Sequence, residues 1–233
     1  MTTFSIPQKL SLALAGATLA TLATAHASQA LTLVTDRTAL GANETLDWSV
    51  LGPQSTSVAS PFPVPASGGT QVTGSLPSGS FQRIDQGNNW SGNFASGEPL
   101  LWNSGNGSMQ FSFSNALRGG GAQIQSNSYG SFTAVIEAFN SGGTSLGSFI
   151  RAGDSTGAAD GSAIFIGVLS DQADIAKITF SLSGASDFAI NKLSLNITAT
   201  AIPTPALLPG LIGLGVAALR KRKAEAAEQA NEA

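Results

Sequence analysis

The sequence predicts an all-β domain, two antiparallel sheets packed as a sandwich of the jelly-roll kind, flanked by an N-terminal signal helix and a short C-terminal hydrophobic helix. Three observations predict it. Between residues 31 and 200 no stretch sustains an apolar period of 3.6 residues. Short runs there alternate apolar and polar residues with period two, the mark of half-buried strands. Breaks rich in Gly, Ser and Asn separate the runs at intervals too short for helical crossovers.

The first segment, residues 1–30, carries a positive charge at Lys9, an uncharged Leu/Ala-rich stretch from Leu10 to Ala25, and then small residues at Ala25, Ala27, Ser28 and Ala30. That order is the tripartite pattern of a secretory signal peptide, with cleavage expected after Ala27 or Ala30, and it implies Sec-type export machinery as a partner.

In the body, Met109, Phe111 and Phe113 share one face of their run, and Ile178, Phe180 and Leu182 share one face of another. Leu193, Leu195 and Ile197 do the same near the end. The run Phe132–Phe139 is partly apolar on both faces, and Ala163–Leu169 (AIFIGVL) is apolar on both, so the latter is expected as a central strand. The stretches GNNWSGN, RGGGAQ, NSGGTS and GDSTGAADGS are expected as the breaks between strands. Residues 55–79, rich in Ser, Pro and Gly, are expected as a long loop holding one short strand near Thr70–Thr73. Nine or ten strands at this spacing fit two packed sheets.

The last segment, residues 201–233, divides into three. Pro203-Thr204-Pro205-Ala206 is stiff and extended, because each proline fixes its own φ and disfavours helix at the residue before it. Leu207–Leu219 is an apolar run, and Arg220, Lys221, Arg222 and Lys223 form a block of cations. At about 1.5 Å per residue the apolar run reaches roughly 20 Å, short of the ~30 Å hydrocarbon core. The cation block holds to the cytoplasmic side, so the run is expected to seat in the membrane either transiently, as a sorting hook, or finally, as a marginal anchor.

This tail resembles the PTPA variant of the PEP-CTERM sorting signals of cyanobacterial surface proteins. The resemblance implies an exosortase-like membrane protease as a partner, cutting near the motif, and a cell-surface or extracellular destination. In the body, Trp90–Ala95, Gly121–Gln125, Asp160–Val168 and Asp187–Asn191 are similar to an uncharacterised family of exported bacterial β-sandwich domains. That likeness implies fold and export, and no activity.

Composition narrows the function further. Lys+Arg 11 against Asp+Glu 14, without a basic block in the body, argues against a nucleic-acid surface. Cysteine is absent and the one histidine, His26, lies in the export signal. A mature chain therefore has no Cys nucleophile, no His general base and no His or thiolate metal site. The expectation is a non-enzymatic surface protein with a structural or adhesive role. The alternative is a lectin-like module for exopolysaccharide, with Trp90 stacking on a sugar and Asn89 and Asn93 supplying hydrogen bonds, or else Trp90 closing one end of the core. A polysaccharide hydrolase built on carboxylate pairs such as Asp154/Asp160 or Asp85/Glu98 ranks third. No cofactor is required. Ca²⁺ is the ion that Asp154 and Asp160, or Asp187 and Asn191, would hold, each set also reading as ordinary turn chemistry.

Overall fold

A computed structural model describes residues 30–197. The expected flanking helices, Ala27, the Pro203–Ala206 motif and the Arg220–Lys223 block all lie outside the described residues. Among those described, no helix is long and apolar enough to cross a membrane.

The strands are β1 (Leu31–Val34), β2 (Glu44–Leu46), β3 (Thr56–Ala59), β4 (Phe62–Pro65), β5 (Gln71–Ser75), β6 (Ser80–Asp85), β7 (Pro99–Trp102) and β8 (Met109–Leu117), then β9 (Gly119–Ser126), β10 (Gly130–Phe139), β11 (Ser145–Ser155), β12 (Ile164–Ser170), β13 (Ile175–Leu182), β14 (Phe188–Ile190) and β15 (Leu193–Asn196). They form two antiparallel sheets packed as a sandwich. The larger has the order β1-β12-β9-β14-β7-β6-β3, with β15 also on β9 and β2 on β15. The smaller has the order β11-β10-β13-β8-β5-β4.

The period-two runs fill the space between the sheets. Met109, Phe111, Ile178, Phe180, Leu193 and Leu195 are buried in one core together with Ile136, Phe188 and Trp48. Trp48 stacks on Phe111 with ring centroids 5.6 Å apart, and its indole N–H donates to the Asn191 carbonyl at 2.8 Å. Buried aromatics of this size supply much of the area that drives folding.

Three expectations are corrected, the first being the strand count, which is fifteen among the described residues against the nine or ten expected. Residues 55–79 are not a loop with one strand but hold β3, β4 and β5, of which β4 alternates Phe62 and Val64 inward with Pro63 and Pro65 outward. Pro in β4 is tolerated because β4 is the edge of its sheet. The RGGGAQ stretch is not a break either. Gly119, Gly120 and Gly121 begin β9, which lies inside the larger sheet. A Cβ at Gly121 would stand 2.6 Å from the Gly167 Cα, 2.7 Å from the Phe165 ring and 2.8 Å from the Ile166 carbonyl. Glycine is there so that the β12 backbone and the Phe165 ring can approach β9 closely, not because the chain turns. Ala163–Leu169 does run inside a sheet, as β12, one strand in from the edge at β1.

The outer face of the larger sheet is itself covered, which explains why β12 is apolar on both sides. The turn Thr38–Leu40 lays Leu40 against Val34, Phe165 and Leu169. The excursion between β6 and β7, residues 86–98, lays Trp90 and Phe94 on Ile84, Leu100, Ala163 and Ala189. Between these two small cores runs a stripe of buried polar side chains.

Candidate functional site

The stripe starts from β9, where alternation places Gln123 and Gln125 on the covered outer face. Gln125, buried, accepts from the Asn93 backbone N–H at 2.7 Å and donates to the Asn93 side-chain carbonyl and the Ser155 hydroxyl, both at 2.8 Å. Asn93, also buried, donates to Thr156 and Ser162. This pins the 86–98 excursion to the start of β12.

Asn191 is the second node. It sits where β14 leaves β9 and β15 takes over its edge, and it is fully buried. Its side-chain carbonyl accepts from the Gln123 N–H at 2.9 Å, standing in for a ladder bond at the gap, and from Arg37 Nη2 at 2.7 Å. Its amide donates to Glu98 at 2.8 Å and to the Gln123 side-chain carbonyl. One amide thus joins the Arg37 guanidinium to the Glu98 carboxylate. Burial pulls the Arg37 guanidinium below its ordinary value, and the Glu98 charge opposes that.

Arg37 lies over the Phe165 ring, 5.0 Å from its centroid, and also donates to the Lys192 carbonyl at 3.1 Å and to Ser194. It forms one wall of a cleft of about 420 Å³ whose other walls are Thr35, Asp36, Thr38, Arg151 and residues 161–165. Arg151 reaches this cleft from the opposite sheet. Standing on β11, it donates from Nη1 to the Thr35 carbonyl at 2.6 Å and to the Phe165 carbonyl, tying the two sheets at their open edge. Asp36 Oδ1 accepts from the Thr38 N–H at 2.7 Å and hydroxyl at 2.6 Å, which lowers the Asp36 pKa.

Of the residues singled out in the sequence, Asn93, Asn191 and Glu98 lie in the stripe as structural groups, and the others fall elsewhere. Trp90 is 4% exposed and packs on Phe94 and Trp102, so it closes a core and presents no ring to a sugar. Asn93 is buried and saturated, and Asn89 is exposed, donating to Ser55. Three of the four residues of the two calcium sets already accept hydrogen bonds within the protein. Asp187 already accepts from Trp102 Nε1 at 2.5 Å and Asn127 at 2.8 Å, and Asn191 has both lone-pair directions filled. Asp154 stands exposed on β11 opposite Ser131, while Asp160 accepts from the Ser162 N–H at 3.0 Å and hydroxyl at 2.6 Å. Those two bonds hold Asp160 below the usual carboxylate range. Among the described residues, no three acidic or histidine side chains gather as a metal site would need. Of the carboxylate pairs, Asp85 is paired with Arg83 at 2.6 Å and Glu98 is held by Asn191 and the Ala95 N–H.

Sequence reasoning missed Arg37, Arg151 and Gln123. The one local signal was the alternation of Gln123 and Gln125 around Ile124, which reads as a solvated face until the excursion is seen to cover it.

No protein-family model matches the chain, and no curated protein matches it. Among solved structures it is similar to a DUF4465 family protein from Bacteroides caccae, at 12% identity and a TM-score of 0.39, over 72% of this chain and 100% of that one. It is similar to a family 6 carbohydrate-binding module at 15% identity and a TM-score of 0.31, over 53% of this chain and 87% of the module. A third likeness is to CsCBM6-3 of Clostridium stercorarium, solved in complex with cellobiose, at 11% identity and a TM-score of 0.22, over 72% and 94%. Likenesses of this order bear on no residue of the cleft.

Proposed function

We propose that the protein is exported, sorted to the cell surface by an exosortase-like protease, and serves there as a non-enzymatic adhesive sandwich that holds matrix polysaccharide through the Arg37–Arg151 cleft. The cleft carries this reading. It gathers charged and polar side chains at the open edge of the sandwich, while the three tryptophans lie in or against the cores. Residues 31–233 contain no His and no Cys, and Asp85 and Glu98 are engaged in structural bonds, which supports binding over catalysis. The order of export signal, folded body, Pro-Thr-Pro-Ala, apolar run and cation block supports the destination.

Two measurements test the two halves. Mass spectrometry of the protein from its native host is expected to find an N-terminus near Ser28 or Leu31 and a C-terminus near residues 203–206. An intact chain through Ala233 in the membrane fraction would overturn sorting and leave a simple anchor. Co-sedimentation with the host's own matrix polysaccharide is expected for the wild-type protein. Its absence would overturn the adhesive role.

A further inference from the structure

The cleft carries a second reading once its hydrogen-bonding groups are sorted into engaged and unengaged. Gln123 is saturated, donating to the Gly161 carbonyl at 3.0 Å and the Ala163 carbonyl at 2.7 Å and accepting from Asn191. The Ser162 hydroxyl donates to Asp160 and accepts from Asn93. The Thr38 hydroxyl donates to Asp36. Among the described residues, Arg151 is bonded only through Nη1, which leaves Nε and Nη2, the two donors of one guanidinium edge. Arg37 Nε is likewise without a bond, and so is Asp36 Oδ2. The Phe165 ring, buried and covered by Arg37, has no face for stacking.

What is left in the cleft is therefore a guanidinium edge, one further cationic donor and, beside them, a single carboxylate oxygen. Such an edge matches a carboxylate bidentately. A neutral glycan, by contrast, is held mainly by an exposed aromatic platform and amide groups, and here the ring is covered and the amide saturated. The lone Asp36 oxygen accepts a hydroxyl. A ligand that offers a carboxylate and a hydroxyl side by side is a sugar acid. An acidic peptide offers the first without the second.

We propose that this cleft is a subsite for the carboxylate-bearing residue of an acidic polysaccharide, a uronate unit, with Arg151 Nε and Nη2 as its carboxylate fork and Asp36 Oδ2 as a hydroxyl acceptor. Gln123 and Asn191 are positioning residues, the one holding residues 161–163 and the other holding Arg37. The proposal rests on the polysaccharide-adhesion reading and names its ligand class.

Calorimetric titration of the full chain in mild detergent tests it, with tetragalacturonate, a neutral tetraglucan and tetraglutamate as probes. Tetragalacturonate is expected to bind, at least tenfold more tightly than either other probe, and to weaken as salt rises. Arg151→Lys keeps a cation near the Thr35 and Phe165 carbonyls but loses the fork, and is expected to weaken tetragalacturonate at least tenfold. Thr35→Glu sets a like charge at the exposed rim, at a position whose side chain makes no hydrogen bond among the described residues, and is expected to do the same with an unchanged melting temperature, which covers the case in which Arg151→Lys perturbs the sheet edge. Equal binding of tetraglucan or tetraglutamate would overturn the proposal, as would tetragalacturonate binding that survives both variants. Host polysaccharide that still co-sediments with both variants would overturn this subsite alone. Failure of the wild type to bind any polysaccharide would overturn the adhesive role with it.

Discussion

Asn191→Ala should be among the most damaging single changes in the domain, although it removes only a small polar side chain. The residue is fully buried and its amide makes four bonds, to Arg37, the Gln123 N–H, Glu98 and the Gln123 side chain. Alanine strips all four partners at once. Of the two on Gln123, one is a backbone N–H within β9 and the other a side-chain carbonyl beside the cleft, and leaving each unpaired costs about 1–3 kcal/mol. Arg37 and Glu98 are half-buried and partly recover water, so about 0.5 kcal/mol each is a fair allowance. The expected loss is therefore about 3–7 kcal/mol, or roughly 6–28 °C in melting temperature for a domain of this size. Asn191→Asp separates the terms. It keeps the acceptor for Arg37 and the Gln123 N–H but sets a carboxylate against Glu98, so Glu98→Gln should partly restore stability in that background while destabilising the wild type. Thermal unfolding of the two single variants and the double variant reads this coupling directly. A melting temperature for Asn191→Ala within about 2 °C of wild type, less than 1 kcal/mol, would refute the claim that one amide holds the stripe together.

Three further outcomes are expected. Gly121→Ala should cost about 1–3 kcal/mol or more in chemical denaturation, because its Cβ would stand 2.6 Å from the Gly167 Cα, where backbone and not a flexible side chain must yield. Trp90→Ala should cost roughly 3–5 kcal/mol as a core truncation, whereas Trp90→Phe, which keeps most of the packing, should leave polysaccharide binding unchanged in co-sedimentation. Asp36 and Asp160 both have pKa values lowered by hydrogen bonds from Thr38 and Ser162, so each adds stability that is complete above the ordinary value of 3.8 and is lost as the pH falls through the lower folded value. A pH series of melting temperatures should show Asp160→Asn converging with wild type at the acid end.

What the sequence made legible follows from the range of the forces involved. Period-two alternation is local, so Met109–Phe113, Ile178–Leu182 and Leu193–Ile197 could be placed on strands facing a core before any partner was known. The glycines could not. A glycine needed for a turn and one needed for close backbone approach look the same in one dimension, and only the 2.6 Å between a Gly121 Cβ and Gly167 tells them apart. Residues 55–79 failed for a related reason. Their strands are short and rich in Ser, Thr and Pro, and it is pairing with β6 and β8 that makes them strands.

The cleft was illegible for a different reason: its two cations are brought together only by the closure of the sandwich. Arg151 meets the Thr35 carbonyl across 116 positions of chain, and Arg37 meets Asn191 across 154. Neither arginine lies in a motif, and each taken alone reads as a solvated charge beside a strand. Their placement depends on a prior fact of burial. The excursion that carries Trp90 covers the outer face of β9, and that cover turns Gln123, Gln125 and Asn191 from surface residues into the struts of a covered polar stripe. Aromatic residues best suited by type to grip a sugar are thus used to build the support, and the groups left facing solvent are the guanidiniums that the support holds. Selection in such a site rests on charge and hydrogen-bond direction in place of stacking, so salt should weaken its grip more than loss of any one tryptophan ring that leaves the fold intact.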